Sequence, residues 1–395
     1  MYVERDITEK FDRLLAAYSI IAVVGARQGG KTTFLKEQMK HLNASYILFD
    51  DPDARTLFDD DIKKFEKQYI EGRDVSVLDE VQYCKDSGKK LKYLADTGRR
   101  LWITSSSEII LGKEVLSYLV GRVSVLRLYP FSLTEFLDAV GQKVTTPAIL
   151  ERSIWEHMTY GGYPKVVLTA DVEMKKTILG DLYETMVLKD VARTFSIDDI
   201  RTLEEFARYL SVNIGNTISY EHVSGDIRIS FPTLKKYFDA LEKSYMIVRV
   251  PPFYTNKSKE ITKQPKVYFL DTGLRNAIAK TFNPIPDGKM FENYILSEIV
   301  KMGLTIKYWR TKAMAEVDFI VEKDGKPIPI EVKLRAEPPK IERSLRSFIL
   351  TYKPKTAFVV YYHHHDAGKE TESVKINGCK VVFTDVLGLE KMLAI

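Results

Sequence analysis

Ile20-Ile21-Ala22-Val23-Val24-Gly25-Ala26-Arg27-Gln28-Gly29-Gly30-Lys31-Thr32 decides how the first third of the chain is read. Its opening run is continuous, apolar and partly β-branched, which predicts a strand buried on both faces. The run leads into a perfect match to G-x-x-x-x-G-K-[ST], and Thr33-Phe34-Leu35-Lys36-Glu37-Gln38-Met39 continues as a helix. In that order, backbone N–H groups can close around phosphate oxygens, helped by the positive helix N-terminus. Gly25, Ala26, Arg27, Gln28, Gly29, Gly30, Lys31, Thr32 and Thr33 are therefore the candidate nucleotide-binding residues. In this role Lys31 bridges the β- and γ-phosphates of ATP, and the Thr32 hydroxyl coordinates Mg²⁺. The alternative is a tight turn carrying an incidental lysine.

The surrounding chain of 395 residues predicts two to four domains, at roughly 150 residues each. Apolar residues make up 45% and aromatics 11%, which supports packed cores and excludes disordered or collagenous classes. Lys and Arg number 59 against 54 Asp and Glu, and the resulting +5 permits nucleic-acid contact without arguing for it. Cys84 and Cys379 stand far apart without partner ligands, as expected for reduced thiols in a cytoplasmic protein. No apolar run reaches the ~18 residues of a membrane span, and charge from Glu4 onward is unlike a signal peptide.

Val75-Ser76-Val77-Leu78 predicts a second strand, ending in Asp79-Glu80. A carboxylate at a strand tip beside the glycine loop can hold the metal, which assigns Asp79. Glu80 is then placed to orient or deprotonate an attacking water. Leu101-Trp102-Ile103 predicts a third strand, followed by Thr104-Ser105-Ser106-Ser107, whose hydroxyls either sense the γ-phosphate or simply form a turn. A helix from about Lys113 to Val120 ends at Gly121-Arg122, before the strand Val123-Ser124-Val125-Leu126. Arg122 either reaches a nucleotide held by a neighbouring subunit or is a charge capping the helix C-terminus.

Together these residues resemble the AAA+ ATPases, in particular a prokaryotic branch with a short P-loop domain. The resemblance rests on residues 25–33, Leu78-Asp79-Glu80-Val81-Gln82, the Thr104–Ser107 tip, Gly121-Arg122 and the segment Leu128 to Phe136, and covers roughly residues 1–140. It implies ATP with Mg²⁺, and it implies Arg122 as an arginine finger, which requires an oligomer. Ser105 stands where the family pattern leads one to expect glycine.

Residues 141–198 predict a helical lid or connector, broken at Gly161-Gly162-Tyr163-Pro164, where paired glycines and a proline stop a helix. Residues 199–275 predict helices around Leu203–Val212, Tyr220 and Ser230 onward, with Ser230 as N-cap. Leu234, Phe238, Leu241 and Tyr245 form one stripe, with Lys235, Lys236 and Lys243 off it. Strands near Met246–Val250 and Lys266–Leu270 flank a loop carrying Lys257, Lys259 and Lys263. Three helices and a basic hairpin describe a winged helix, a module that often enters a DNA major groove. The alternative is a helical module that packs on its neighbours.

Residues 276–395 carry the second chemical signal. Glu316 to Glu322 and Pro327 to Lys333 read as two strands joined through Asp324-Gly325, a strong hairpin turn. That turn sets Phe319 opposite Ile330, Asp318 opposite Glu331, and Glu316 opposite Lys333. Alternation then puts Val317, Phe319, Val321, Ile328, Ile330 and Val332 on one face, and Glu316, Asp318, Glu331 and Lys333 on the other. Facing carboxylates repel, and a divalent cation between Asp318 and Glu331 relieves the conflict, with Lys333 beside it. Glu292 shares a helical stripe with Ile295, Leu296 and Ile299, so it is a third candidate acid. The pattern resembles the PD-(D/E)XK nuclease superfamily, many of whose members only bind. The middle and last thirds also resemble an uncharacterised domain fused behind this type of ATPase. The bland alternative is an exposed hairpin with a Glu316–Lys333 salt bridge. Tyr361-Tyr362-His363-His364-His365-Asp366 alternates faces as a strand and reads as a polar strand end.

The expected fold is α/β: a P-loop parallel sheet domain, a helical connector with a winged helix, and a C-terminal mixed-sheet restriction-endonuclease-like domain. The expected function is an ATP-hydrolysing AAA+-type protein that couples nucleotide state to a DNA-directed C-terminal half. Its rivals are an ATP-dependent switch that binds a protein partner, with an inactive nuclease-like fold, and a metal-dependent nuclease whose ATPase controls access.

Overall fold

In the computed structural model, strand β1 (Ile20–Val24) is buried at every position, as its apolar run requires. The structure describes residues 2–105, 112, 116–254, 260, 263–282, 285–323, 325–335, 340–363 and 372–394. It divides into two compact units. One comprises Met1–Phe131 with Thr185–Asp198 and Lys243–Tyr245; the other comprises Ser132–Glu184, Asp199–Glu242 and Met246–Ile395.

The first unit is built on a five-stranded parallel sheet. After β1 come β2 (Ala44–Leu48), β3 (Val75–Asp79), β4 (Leu101–Ser105) and β5 (Val123–Arg127), in the spatial order β2-β3-β4-β1-β5. Strands β3 and β4 are also buried throughout, because covering both faces of a parallel sheet leaves no polar side. On one face Phe11, from the helix Thr8–Leu15, meets Phe34 and Trp102 edge-on at 5.2 and 4.9 Å. Strand β2, absent from the sequence reading, is an edge strand whose opening Ala-Ser-Tyr is only half-buried, so its apolar signal is short. The order matters for the site: β4 pairs with both β1 and β3, so its tip lies between the glycine loop and Asp79. Of the helix expected at 113–120, residues 113–115 lie outside the described residues, and the chain that follows is a 3₁₀ turn, Leu116–Tyr118. Ser106 and Ser107 also lie outside the described residues.

In the second unit, the break at Gly161 has a tertiary cause beyond the turn. Gly161 adopts φ 77°, and a Cβ there would lie 2.1 Å from Asp271 Oδ1. The buried Asp271 carboxylate accepts from Gly162 N and Leu274 N, both at 2.8 Å. The paired glycines therefore admit a carboxylate as well as ending the helix Pro147–Tyr160. Helices Ile200–Val212, Tyr220–Ile227 and Phe231–Lys243 lead into an antiparallel hairpin of β6 (Ile247–Val250) and β7 (Lys266–Phe269). Thr217 bridges to Lys266 on the same hairpin. Leu234, Phe238 and Leu241 are buried and Lys235, Lys236 and Lys243 exposed, while Ser230 Oγ accepts from Thr233 N at 3.3 Å. Of the loop lysines, Lys257 and Lys259 lie outside the described residues.

The helix Gly288–Lys301 precedes β8 (Ile306–Arg310), β9 (Glu316–Lys323) and β10 (Lys326–Arg335). The helix Arg343–Tyr352 follows, then β11 (Thr356–His363), β12 (Glu372–Ile376) and β13 (Cys379–Thr384). These strands form one mixed sheet in the order β12-β13-β11-β10-β9-β8. The hairpin register agrees with expectation from Lys323 opposite Lys326 to Phe319 opposite Ile330. Asp324 lies outside the described residues.

Two expectations about this hairpin fail. Between β8 and β9, Lys307 pairs with Ile320 but Trp309 pairs with Val317, so β9 carries one extra residue. The slip puts Val317 and Ile320 in a single cluster with Trp309, Phe348, Val359 and Tyr361, while Phe319 packs against Tyr268 at 5.7 Å. Val317 thus leaves the face of Phe319, because a bulge resets the alternation. Beyond Phe319 and Ile330 the ladder stops, and the Asp318 side chain accepts from Val332 N at 2.8 Å in place of a direct Asp318–Glu331 pairing. No helix among the described residues is long and apolar enough to cross a membrane.

Candidate functional site

The glycine loop owes its shape to two backbone demands. Gly25 adopts φ 152°, and a Cβ there would come within 2.0 Å of the Leu128 carbonyl oxygen. Gly30, at φ 102°, caps the N-terminus of the helix Lys31–Gln38. Only glycine meets either condition without strain. Gln28, also left-handed at φ 57°, is exposed, as is Thr33, whereas Ala26 and Gly29 are buried and Arg27 is half-buried. Lys31 is buried and folds back, donating to Gly25 O and Ala26 O at 3.0 Å each. An ammonium with three donors in the throat of the loop is placed to exchange these carbonyls for phosphate oxygens.

Asp79, at the end of β3, gathers donors from three elements. Thr32 Oγ1 donates to Oδ2 at 2.8 Å, Tyr46 from β2 donates to the same oxygen, and Thr104 from β4 donates to Oδ1. Burial first, and the Asp79 carboxylate second, push the Tyr46 phenol up, so it remains a protonated donor. Glu80, in the left-handed region at φ 62°, has its N–H tied to Thr104 Oγ1 at 2.9 Å and its carboxylate bonded by Gln82. Thr32 and Asp79 bring two hard oxygens together, the donor chemistry that Mg²⁺ prefers. The sequence reading missed Tyr46, and it also missed Arg5. The Arg5 guanidinium reaches Gly29 O at 3.2 Å and Tyr129 O at 2.7 Å. The run Tyr46-Ile47-Leu48-Phe49 ahead of Asp50-Asp51-Pro52 was the available signal for β2. Arg5 has no local signal, since its partners are remote in sequence. Arg122 is held by Asp96, the last residue of the helix Ser87–Asp96, at 2.6 Å.

The C-terminal acids are arranged differently from expectation. Glu292 is tied by Lys266 at 3.1 Å, by Lys289 at 2.9 Å and by the Tyr268 hydroxyl. Burial opposes the Glu292 charge, but Lys266 and Lys289 outweigh it and hold the carboxyl below its ordinary range. Lys266, with its side chain 2% exposed, also pairs with Glu316 at 2.5 Å, and Arg310 approaches Glu316 at 3.4 Å. The Glu316–Lys333 bridge therefore does not form; Lys333 pairs with Glu331 at 2.8 Å on its own strand. Burial raises the Glu331 carboxyl against the pull of Lys333, and its Oε2 is buried without a hydrogen-bond partner. Burial, then the Glu331 and Glu292 charges, holds Asp318 well above the usual carboxylate range.

Among the described residues, no three His, Cys, Asp or Glu side chains converge as a ligand set for a metal. The expected trio of Asp318, Glu331 and Glu292 is thus not assembled, because Lys266 and Lys289 compensate Glu292 instead. Lys266 was missed because nothing local distinguishes it from the lysines around it. His363 ends β11 and meets Glu151 at 3.0 Å, while His364, His365 and Asp366 lie outside the described residues.

Three family models match the chain: an AAA domain over residues 17–137, and domains of unknown function over 151–284 (DUF8612) and 287–380 (DUF4143). A Haemophilus influenzae protein is 24% identical over 332 residues, covering 79% of this chain and 82% of its own; it is titled only as uncharacterised. The Methanocaldococcus jannaschii protein MJ1544, also titled uncharacterised, is 26% identical over 365 residues, covering 88% and 80%. Among solved structures, the Walker-type ATPase PABY2304 of Pyrococcus abyssi is 15% identical, covers 70% of this chain and 96% of its own, and has a TM-score of 0.47. The AAA match spans the glycine loop, Asp79, Glu80 and the whole five-stranded sheet. The match over residues 17–137 supports an AAA-type P-loop domain, the class of nucleotide-binding ATPases.

Proposed function

We propose that the protein binds ATP on residues 25–33 and hydrolyses it, and that nucleotide state is coupled to a DNA-directed C-terminal half. The observation that carries the nucleotide reading is the meeting of Thr32 and Asp79 at 2.8 Å beside a loop throat lined by Lys31. Backbone N–H groups of the loop and the start of the helix receive the phosphates, and Lys31 reaches the β- and γ-phosphates. Thr32 and Asp79 would hold Mg²⁺, which supplies charge neutralisation at the phosphates when bound. Glu80 orients and deprotonates the attacking water, while Thr104 fixes both its N–H and Asp79. Arg122 serves as the finger toward a neighbouring protomer once Asp96 releases it. Calorimetric titration with ATP and a turnover assay on Lys31→Ala test this reading. Loss of both is expected, and turnover that survives the substitution overturns it.

DNA direction is supported by three helices followed by an antiparallel hairpin, the layout of a winged helix, with Lys235, Lys236 and Lys243 on the exposed face. One observation favours metal-dependent cleavage as a second reading. Glu331 Oε2 is a buried acceptor without a partner, with Asp318 and Lys333 as its charged neighbours. Asp318 and Glu331 would hold the cation, and Glu292 joins them only by giving up Lys266. Incubation with DNA or RNA and Mg²⁺ or Mn²⁺, beside Lys333→Ala, tests it. Identical behaviour of the two proteins favours a switch that acts on a protein partner.

A further inference from the structure

We propose that Tyr46 is a positioning residue of the nucleotide site, a phenol latch that occupies the shared face of Thr32 and Asp79 and competes there with a divalent cation. This rests on the reading that Thr32 and Asp79 hold Mg²⁺. The geometry is specific. Asp79 Oδ1 is taken by Thr104, whose hydroxyl also receives Glu80 N–H, so that side of the carboxylate is anchored to the sheet. Oδ2 receives two donors at once, Thr32 at 2.8 Å and Tyr46. A carboxylate oxygen offers about two acceptor sites, so Oδ2 is saturated. One phenol therefore occupies the same carboxylate oxygen that Thr32 bonds, at the group assigned to the cation.

The Thr32–Asp79 bond can persist while both groups ligate, because the hydroxyl keeps lone pairs after donating its proton. A cation arriving at Oδ2 must therefore displace one of its two donors, and Tyr46, which is not assigned as a ligand, is the one that gives way. Its O–H gives Asp79 the electrostatic relief that a cation or a cation-bound water gives, at the same oxygen. The ring is braced from behind by the Lys36 ammonium, 4.3 Å from its centroid and one turn along the helix from Thr32. The latch thus joins β2 to the helix that follows the glycine loop.

Tyr46→Phe removes only the hydroxyl and keeps the ring under Lys36. The test titrates Mg²⁺ against binding of a fluorescent ATP analogue, for wild type and variant, with a parallel series in EDTA. The variant is expected to need about 3–10-fold less Mg²⁺ for half-saturation, as fits the loss of one hydrogen bond to a charged acceptor. That shift should exceed any change in metal-free affinity. An unchanged or increased Mg²⁺ requirement overturns the latch while leaving the nucleotide reading intact. A wild-type protein that binds no nucleotide with or without Mg²⁺ overturns both. Tyr46→Leu, with circular dichroism as the check on folding, repeats the comparison if the first variant is unstable; the same direction is expected.

Discussion

Arg5 donates to the carbonyl oxygen of Gly29 at 3.2 Å, so the glycine loop is braced by a residue far outside it. The same guanidinium bonds Tyr129 O at 2.7 Å and lies 4.9 Å from the centroid of Phe131. It ties the loop to the segment that leaves β5. Arg5→Ala should cost about 1–3 kcal/mol in denaturant unfolding, because it removes charged donors from buried carbonyls. Nucleotide affinity should fall with it. Arg5→Lys should recover only part of the loss, since a single ammonium lacks the planar fork that reaches two carbonyls. Full recovery by lysine would show that charge, and not fork geometry, is what the loop needs.

Gly25→Ala places a methyl group where the Leu128 carbonyl oxygen already stands, at 2.0 Å, and at φ 152°. The loop or the segment after β5 must move. A loss on the order of 1–3 kcal/mol is expected in unfolding, together with loss of ATP binding by calorimetry. Wild-type affinity in this variant would contradict the close approach.

Glu80→Gln keeps the side-chain volume and removes the base. Nucleotide binding should persist while single-turnover hydrolysis falls by about 10²–10⁴-fold. Parallel losses in both quantities would instead assign Glu80 to holding the loop.

Lys266→Met deletes a buried cation from between Glu292 and Glu316. Glu292 then keeps only Lys289 and the Tyr268 hydroxyl, and Glu316 only Arg310, so the loss should be on the order of 3 kcal/mol, read from the unfolding midpoint. Glu292→Gln in the same chain should return part of it. Without such recovery, packing of the Lys266 stem, and not its charge, would be what the sheet requires.

Asp318 holds its proton in the folded protein at pH values where the unfolded chain, with an ordinary value near 3.8, has lost it. The folded state therefore binds more protons over that interval, and stability falls as pH rises through it. Asp318→Asn, whose amide oxygen can still accept from Val332 N, should raise stability at pH 7 by on the order of 1 kcal/mol. The gain should shrink toward zero near pH 4. A constant gain across the range would remove the titration from the explanation.

The sequence by itself determined the nucleotide loop, the strand ending in Asp79-Glu80 and the hairpin register from Lys323–Lys326 to Phe319–Ile330, because each follows from short-range backbone chemistry. A glycine pattern, a buried apolar run and an Asp-Gly turn act over a few residues. The tertiary structure alone decided that Tyr46 and Thr104 meet Asp79, that Arg5 braces Gly29, and that Lys266 claims Glu292 from Asp318 and Glu331. Each joins residues from different strands or helices, and chain spacing carries no record of which charge lies across a sheet. The β9 bulge shows the same limit within one strand, since the extra residue becomes visible only against the partner strand that it fails to match.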